Sequence, residues 1–165
     1  MKRDVDYNKI TKRLNEQLPK GVFLNVANGD KFNTMTIGWA LTGIMWSKPI
    51  ICFAVRPSRF TYKLLENTDK VTLSIPKENT MLEELDFCGK NSGALVDKFE
   101  KLGFERAPII KACDLHIHLK IVQRTMMDEK SLEPFIDERF YPKEDYHMFY
   151  FGQIEECYYI DEEKT

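Results

Sequence analysis

Two arginines and two hydroxyls crowd into six positions, Arg56-Pro57-Ser58-Arg59-Phe60-Thr61, directly after the apolar run 50–55. Read as a strand entering a helix over 58–67, this junction puts Ser58 at the N-cap, where backbone N–H groups lack intrahelical partners. Such a helix start is a ready anion site, and a planar guanidinium offers phosphate two parallel hydrogen bonds. With no anion, arginines at a helix N-terminus oppose the dipole. The plainer alternative pairs both with surface acids such as Glu66. Upstream, 32–46 is free of charge and alternates in size. Met35, Ile37, Trp39 and Leu41 form a bulky face that reads as core, and Thr34, Thr36, Gly38, Ala40 and Thr42 form a small one. The next strand repeats this with Ile51, Phe53 and Val55 against Cys52 and Ala54. A small face lets a flat molecule approach the backbone; it also fits beneath a helix or against another subunit. A flat ring with a phosphate describes a mononucleotide such as FMN.

Other reactive side chains point elsewhere. His116 and His118 are two apart on one strand, so both reach one point, with Asp114 the nearest third ligand. A solvated or interface strand face explains them better, and no metal site is expected. Cys52, Cys88, Cys113 and Cys157 are widely spaced without a CxxC pair, which fits reduced thiols rather than a disulfide framework or a zinc site. There is no GxGxxG and no GxxxxGK[ST], so a Rossmann dinucleotide fold is not supported. Cys88-Gly89-Lys90-Asn91-Ser92-Gly93 is a Gly-spaced loop and little more by itself.

The elements that must position these groups are legible in outline. Apolar residues at Tyr7, Ile10, Leu14 and Leu18 give a helix over 6–18, capped by Asp6 and stopped by Pro19 and Gly21. Strands are expected at 21–27, 32–46, 50–55, 70–75, 114–122 and 148–160. Asn28-Gly29-Asp30 forms a hairpin turn and Ser47-Lys48-Pro49 a second turn. Thr80-Met81-Leu82-Glu83 fits a capping box, and a short helix within 96–102 ends at Gly103. In 114–122, Leu115, Ile117, Leu119 and Ile121 share one face, and Asp114, His116, His118 and Lys120 the other. The chain reads as one mainly β domain over 1–165, a β-barrel over about 21–160 with peripheral helices. A parallel βαβ arrangement fits the hairpin and the irregular strand–helix order less well.

Composition narrows the function classes. Lys and Arg number 24 and Asp and Glu 26, a formal charge of −2, which disfavours a general nucleic-acid or anionic-membrane binder. The longest charge-free run, 32–47, is too short and too polar to span a membrane, which takes about 20 apolar residues. The start, MKRDVDYNK, lacks the apolar run of a secretory signal. The expected location is cytoplasmic. Asp161-Glu162-Glu163-Lys164 reads as a solvated tail.

In order and spacing, several segments resemble the flavin reductase-like family of FMN-binding split barrels, which includes the flavoredoxins. They are Asn33-Thr34-Met35-Thr36-Ile37-Gly38-Trp39, Lys48-Pro49, Val55-Arg56-Pro57-Ser58-Arg59-Phe60-Thr61-Tyr62, the loop 88–93, Asp97-Lys98-Phe99, and Asp145-Tyr146-His147 ahead of Gly152. The resemblance implies a Greek-key split barrel, usually a homodimer, with FMN near the subunit interface and NADH or NADPH as co-substrate. It implies the flavin ring against Asn33, Thr34, Met35 and Thr36 and around Thr42. It also implies the phosphate at Arg56, Ser58, Arg59 and Thr61, and Cys88, Gly89 and Lys98 near the ring or the neighbouring subunit. His147 matches a histidine that faces the flavin or the nicotinamide. Lys98 and His147 are therefore the expected catalytic residues, one supporting charge on the reduced flavin and one orienting nicotinamide or moving a proton. Ala94 and Leu95 stand where many relatives carry a basic–acidic pair, which bears on nucleotide contacts more than on flavin binding. The implied activity is NAD(P)H-dependent flavin reduction. The alternatives are an FMN electron carrier reduced by a partner protein and a flavin-binding barrel without turnover.

Overall fold

The computed structural model describes residues 2–160; the acidic end from 161 onward lies outside the described residues. Eight strands, β1 (Lys2–Asp4), β2 (Val22–Asn28), β3 (Lys31–Ile37), β4 (Ala40–Met45), β5 (Lys48–Val55), β6 (Lys70–Ile75), β7 (Leu115–Met126) and β8 (Met148–Ile160), form one antiparallel sheet. Its order is β3-β2-β6-β7-β8-β5-β4, with β1 added on β8. The sheet curls on itself. Met35 and Ile37 from β3 share one core with Ile51, Phe53 and Val55 from β5 and with Ile117, Leu119 and Tyr150. β3 and β4 follow each other in the chain yet do not pair.

Helix α1 (Tyr7–Gln17) starts where expected, with Asp6 accepting from Asn8 N–H, and plugs the barrel with Ile10 and Leu14. It passes into a 3-10 turn over Leu18–Lys20 that ends at Gly21, whose φ of 99° and closeness to Thr36 admit no side chain. Four further helices lie outside the sheet: α2 (Phe60–Leu65), α3 (Leu82–Lys90), α4 (Lys98–Leu102) and α5 (Pro134–Phe140). Helices α3 and α4 cover β2 and β3 through a second apolar cluster of Phe23, Leu85, Cys88, Phe99, Ile110 and Cys113. Among the described residues no helix is long and apolar enough to cross a membrane.

Several local expectations need correction. The stretch 32–46 is not one strand. It breaks at Gly38–Trp39, and the break shifts the alternation, so Trp39 and Leu41 are 47% and 75% exposed instead of joining the core. Thr42, not Leu41, pairs with Ile51 on the inward register. The following turn is Trp46-Ser47, with φ of 51° and 55°, and Lys48 and Pro49 already belong to β5. The capping box does not form. Thr80 Oγ1 donates to Lys77 O, and Met81, left-handed at φ 56°, occupies the α3 N-cap. The polar face of β7 is not solvated at His116, which is fully buried beneath the Ile110–Cys113 turn. β1 and α5 are additions, although Glu133-Pro134 carries a helix-start signal: the Glu133 carboxylate accepts from Ile136 N–H with Pro at N1.

Candidate functional site

The junction between β5 and α2 is built differently from a simple helix cap. Arg59, not Ser58, is the N-cap of α2, and it makes no side-chain capping bond. The Ser58 hydroxyl is otherwise engaged: it donates to one Asp145 carboxylate oxygen, and Ser58 N–H donates to the other at 3.3 Å. An internal carboxylate therefore already occupies the donors read as a phosphate cup. Arg56 reaches past it to donate to Phe140 O and Asp145 O, both at 2.9 Å, with its guanidinium 4.9 Å from the Tyr141 ring centre. Arg59 turns the other way and donates to Gly89 O at 2.8 Å. Both arginines thus serve backbone carbonyls instead of Glu66. Burial and the nearby Arg56 lower the pKa of Arg59, but a guanidinium in a protein remains a cation.

On the α3 side, Lys98 is 3% exposed and its ammonium donates to Thr34 O at 2.8 Å and Cys88 O at 2.9 Å. Asp97 launches the helix that carries it, accepting from Phe99 N–H and Glu100 N–H. Burial draws Lys98 down to about 8, Arg59 adding to the effect and Cys88 opposing it. The Cys88 thiol is itself pushed up to about 11 by burial, which makes it a packing group and not a nucleophile. Lys98 and Arg59 thus hold consecutive carbonyls, of residues 88 and 89, at the C-terminal end of α3, where the helix dipole favours cations.

The small face of β3 lies under this helix. Thr36 Oγ1 donates to Leu85 O, Asn33 Nδ2 donates to Thr61 Oγ1 at 2.7 Å, and Thr34 is fully buried with an Oγ1 that has no partner. Met35 points into the barrel core. Of the expected ring contacts on β3, only Thr36 keeps a partly exposed side chain; Asn33, Thr34 and Met35 can meet a ligand only through backbone. Thr42 stands apart, lining an apolar groove of about 360 Å³ with Leu41, Ile44, Cys52, Phe149 and Phe151.

His147 lies just before β8. Its Nδ1 is 2.7 Å from Tyr141 OH, and its ring centre is 5.1 Å from that of Trp39, which also meets Phe140 edge-on. Burial first, and Arg56 second, draw it down to about 4, so it is neutral at physiological pH. The structure therefore gathers Arg56, Ser58 and His147 around the segment 140–147, and Arg59, Gly89, Lys98 and Thr34 around the end of α3. The β5–α2 junction joins the two groups. His116 and His118 are satisfied internally by Ser74 and Cys113 and by Thr72 and Tyr158. Sequence reasoning missed Asp145 as the carboxylate on Ser58 and Tyr141 as the partner of His147. Only the adjacency of Asp145 to His147 hinted at either.

A flavin reductase-like domain model matches residues 15–165. A search of the curated proteins returned no match. Solved structures with the same fold include an FMN-binding domain of a flavin reductase-like enzyme from Shewanella baltica, at TM-score 0.69 and 16% identity, covering 96% of this chain and 77% of that one. They also include the flavoredoxin of Methanosarcina acetivorans, at TM-score 0.63 and 23% identity, covering 87% and 69%. A third is an NADH:FAD oxidoreductase of Streptomyces globisporus solved with NAD and FAD fragments, at TM-score 0.61 and 14% identity, covering 83% and 72%.

Proposed function

Because this chain belongs to the flavin reductase-like family, we propose that it is an NAD(P)H-dependent flavin reductase that binds FMN at the end of α3 and the β5–α2 junction. The observation that carries this reading is the pair of cations on consecutive carbonyls. Lys98 ties Thr34 O to Cys88 O, and Arg59 ties α2 to Gly89 O, so two backbone segments are fixed side by side with positive charge beneath them.

The residues present fit such a group. Arg59 spends one N–H donor on Gly89 O and is only half-buried, which leaves guanidinium N–H groups for a phosphate. The partly exposed Thr36 and Gly89, with the backbone of Thr34 beside them, sit where a ring edge would lie. Ser58 and Arg56 are committed to the 140–147 segment, so the phosphate falls to Arg59 unless Asp145 yields its place. Bound flavin would supply acceptance of a hydride from nicotinamide and delivery of electrons onward. Lys98 would place positive potential under the backbone of residues 34–36, where charge develops on reduction. Trp39 and Phe140 would shield His147 from water, and neutral His147 would hydrogen-bond the nicotinamide or carry one proton. The four free thiols accord with a reducing compartment, the cytoplasm. The exposed apolar face of β4, β5 and β8 supports a homodimer.

The test is spectroscopic. Purified protein loaded with FMN is expected to bleach anaerobically with NADH or NADPH. Yellow protein inert to both would make it a carrier fed by a partner protein, and a chain that takes up no FMN would end the reading. Arg59→Ala should weaken FMN retention through dialysis, while His147→Ala should slow reduction in stopped flow and leave FMN affinity unchanged.

A further inference from the structure

Tyr141 and His147 are both nearly buried, at 3% and 8% exposure, and their polar atoms are 2.7 Å apart. The direction of that hydrogen bond decides what the imidazole offers. Among the described residues the only hydrogen-bond partner of the Tyr141 hydroxyl is His147 Nδ1. If Nδ1 carried the ring proton and donated to the tyrosine oxygen, the phenolic hydrogen would be left in the interior without an acceptor. Leaving a buried donor unmade is the costlier arrangement. If the tyrosine donates, its hydrogen is satisfied, Nδ1 is the acceptor, and the single ring proton stays on Nε2. We propose that Tyr141 is a positioning residue that holds neutral His147 as the Nε2–H tautomer, so that the ring presents a donor, not an acceptor, to whatever it meets through Nε2.

The surroundings agree. Burial raises the Tyr141 pKa, so its hydroxyl keeps a hydrogen to donate. The Arg56 guanidinium lies over the Tyr141 ring and bonds Phe140 O, next to Tyr141, and Asp145 O, two residues before His147, which fixes the backbone that carries both rings. Tyr146 stacks on Tyr141 at 4.9 Å and is anchored through its hydroxyl to Asp137, so Tyr141 has little freedom to swing away. His147 O in turn accepts from Met127 N–H at 3.0 Å. The charged groups facing the imidazole are Arg56, which opposes a second proton, and Asp145, which favours one. A donor at Nε2 suits the carboxamide oxygen of nicotinamide, an inference that rests on the reductase reading.

The direct test needs no flavin. Long-range proton–nitrogen spectra of the 15N-labelled wild-type protein near neutral pH should show His147 Nδ1 unprotonated and Nε2 protonated. Tyr141→Phe keeps the ring stack, and a thermal melt checks that it folds; its His147 signals should move toward a mixture of tautomers. In FMN-loaded protein the same variant should reduce about tenfold more slowly with NADH or NADPH, the low end of what partners orienting metal-bound histidines contribute, with FMN affinity unchanged. A wild-type Nδ1–H signal overturns the proposal. So does a folded Tyr141→Phe protein whose tautomer, or whose reduction rate, is unchanged. Failure to bind FMN would defeat only the reductase reading, because the nitrogen shifts still decide the tautomer.

Discussion

Gly89 and Gly93 flank the turn after α3, yet a methyl group would meet quite different neighbours at each. At Gly89, inside α3, a Cβ would rest 3.5 Å from Thr36 Cβ, an ordinary contact. Gly89→Ala should therefore be neutral or stabilise the protein by up to about 1 kcal/mol through helix propensity. At Gly93 the Cβ would fall 2.1 Å from Asn33 Oδ1 and 2.9 Å from Phe60 Cδ1. Asn33 could yield only by straining its buried bond to Thr61. Gly93→Ala should cost about 1–3 kcal/mol as an overpacked site, readable in urea unfolding. The pair also bears on the ligand: if a flavin ring lies against Gly89, Gly89→Ala weakens FMN binding while stability holds. Equal FMN affinity in both proteins would move the ring elsewhere. None of this was legible locally. The Gly-spaced loop is visible in the sequence, but its reason is Asn33, sixty positions upstream on β3.

At the level of elements, the β4–β5 hairpin is the most exposed piece of the sheet. β4 is an edge strand, and Leu41, Ile44, Met45 and Trp46 stand out at 75%, 64%, 44% and 55% exposure. An apolar edge without charges invites pairing with another chain. Its two-residue turn takes positive φ at both Trp46 and Ser47, where Asn-Gly is the usual solution. A bulky residue held there stores strain of about 1 kcal/mol or more, which is understandable if Trp46 is an anchor in a dimer. Replacing Trp46-Ser47 with Asn-Gly should then raise monomer stability by about 1 kcal/mol and weaken self-association. Leu41→Asp should weaken it by about 2 kcal/mol or more. Analytical ultracentrifugation reads both, and a wild-type chain that stays monomeric at high concentration would refute the interface. The hairpin also shows why the face assignment along 32–46 fails. Period-2 alternation assigns faces only while the strand is unbroken, and Gly38–Trp39 shifts the phase once, turning Leu41 outward. The strands expected at 70–75 and 148–160 coincide with β6 and β8, whereas β7 runs on to Met126, four residues past the expected end at 122.

For the molecule as a whole, curling the sheet buries polar positions that a flat reading leaves in water, and His116 shows the consequence. Alternation along β7 placed it on a polar face, but the turn before Asp114 closes over that face, and the partners that make burial tolerable come from distant segments. His116 Nε2 faces Cys113 O at 3.2 Å and Nδ1 faces Ser74 Oγ at 3.0 Å. Ser74 Oγ already accepts from Asn25 Nδ2 at 2.9 Å and Ile110 N–H at 3.0 Å, so its own hydrogen must go to Nδ1. A proton added at Nδ1 would meet an oxygen with no lone pair to spare. His116 is accordingly drawn down to about 4, with burial the main cause, as is His147; burial lowers His118 too. For His116 and His147 the unfolded chain takes up its proton near pH 6.5 and the folded chain only near 4, so the unfolded state binds more protons in that window, and His118 acts in the same direction. Stability is therefore full above about pH 6.5 and falls as pH drops toward 4, by up to roughly 3 kcal/mol for each fully shifted histidine. Urea midpoints measured from pH 7.5 to 4.5 should fall steeply, and His116→Gln should remove about one proton from that dependence, whatever its effect on stability at pH 7.5. A variant that keeps the wild-type pH slope would show that His116 is protonated inside the fold, and the hydrogen-bond directions assigned to the Asn25–Ser74–His116 cluster would then have to be reversed.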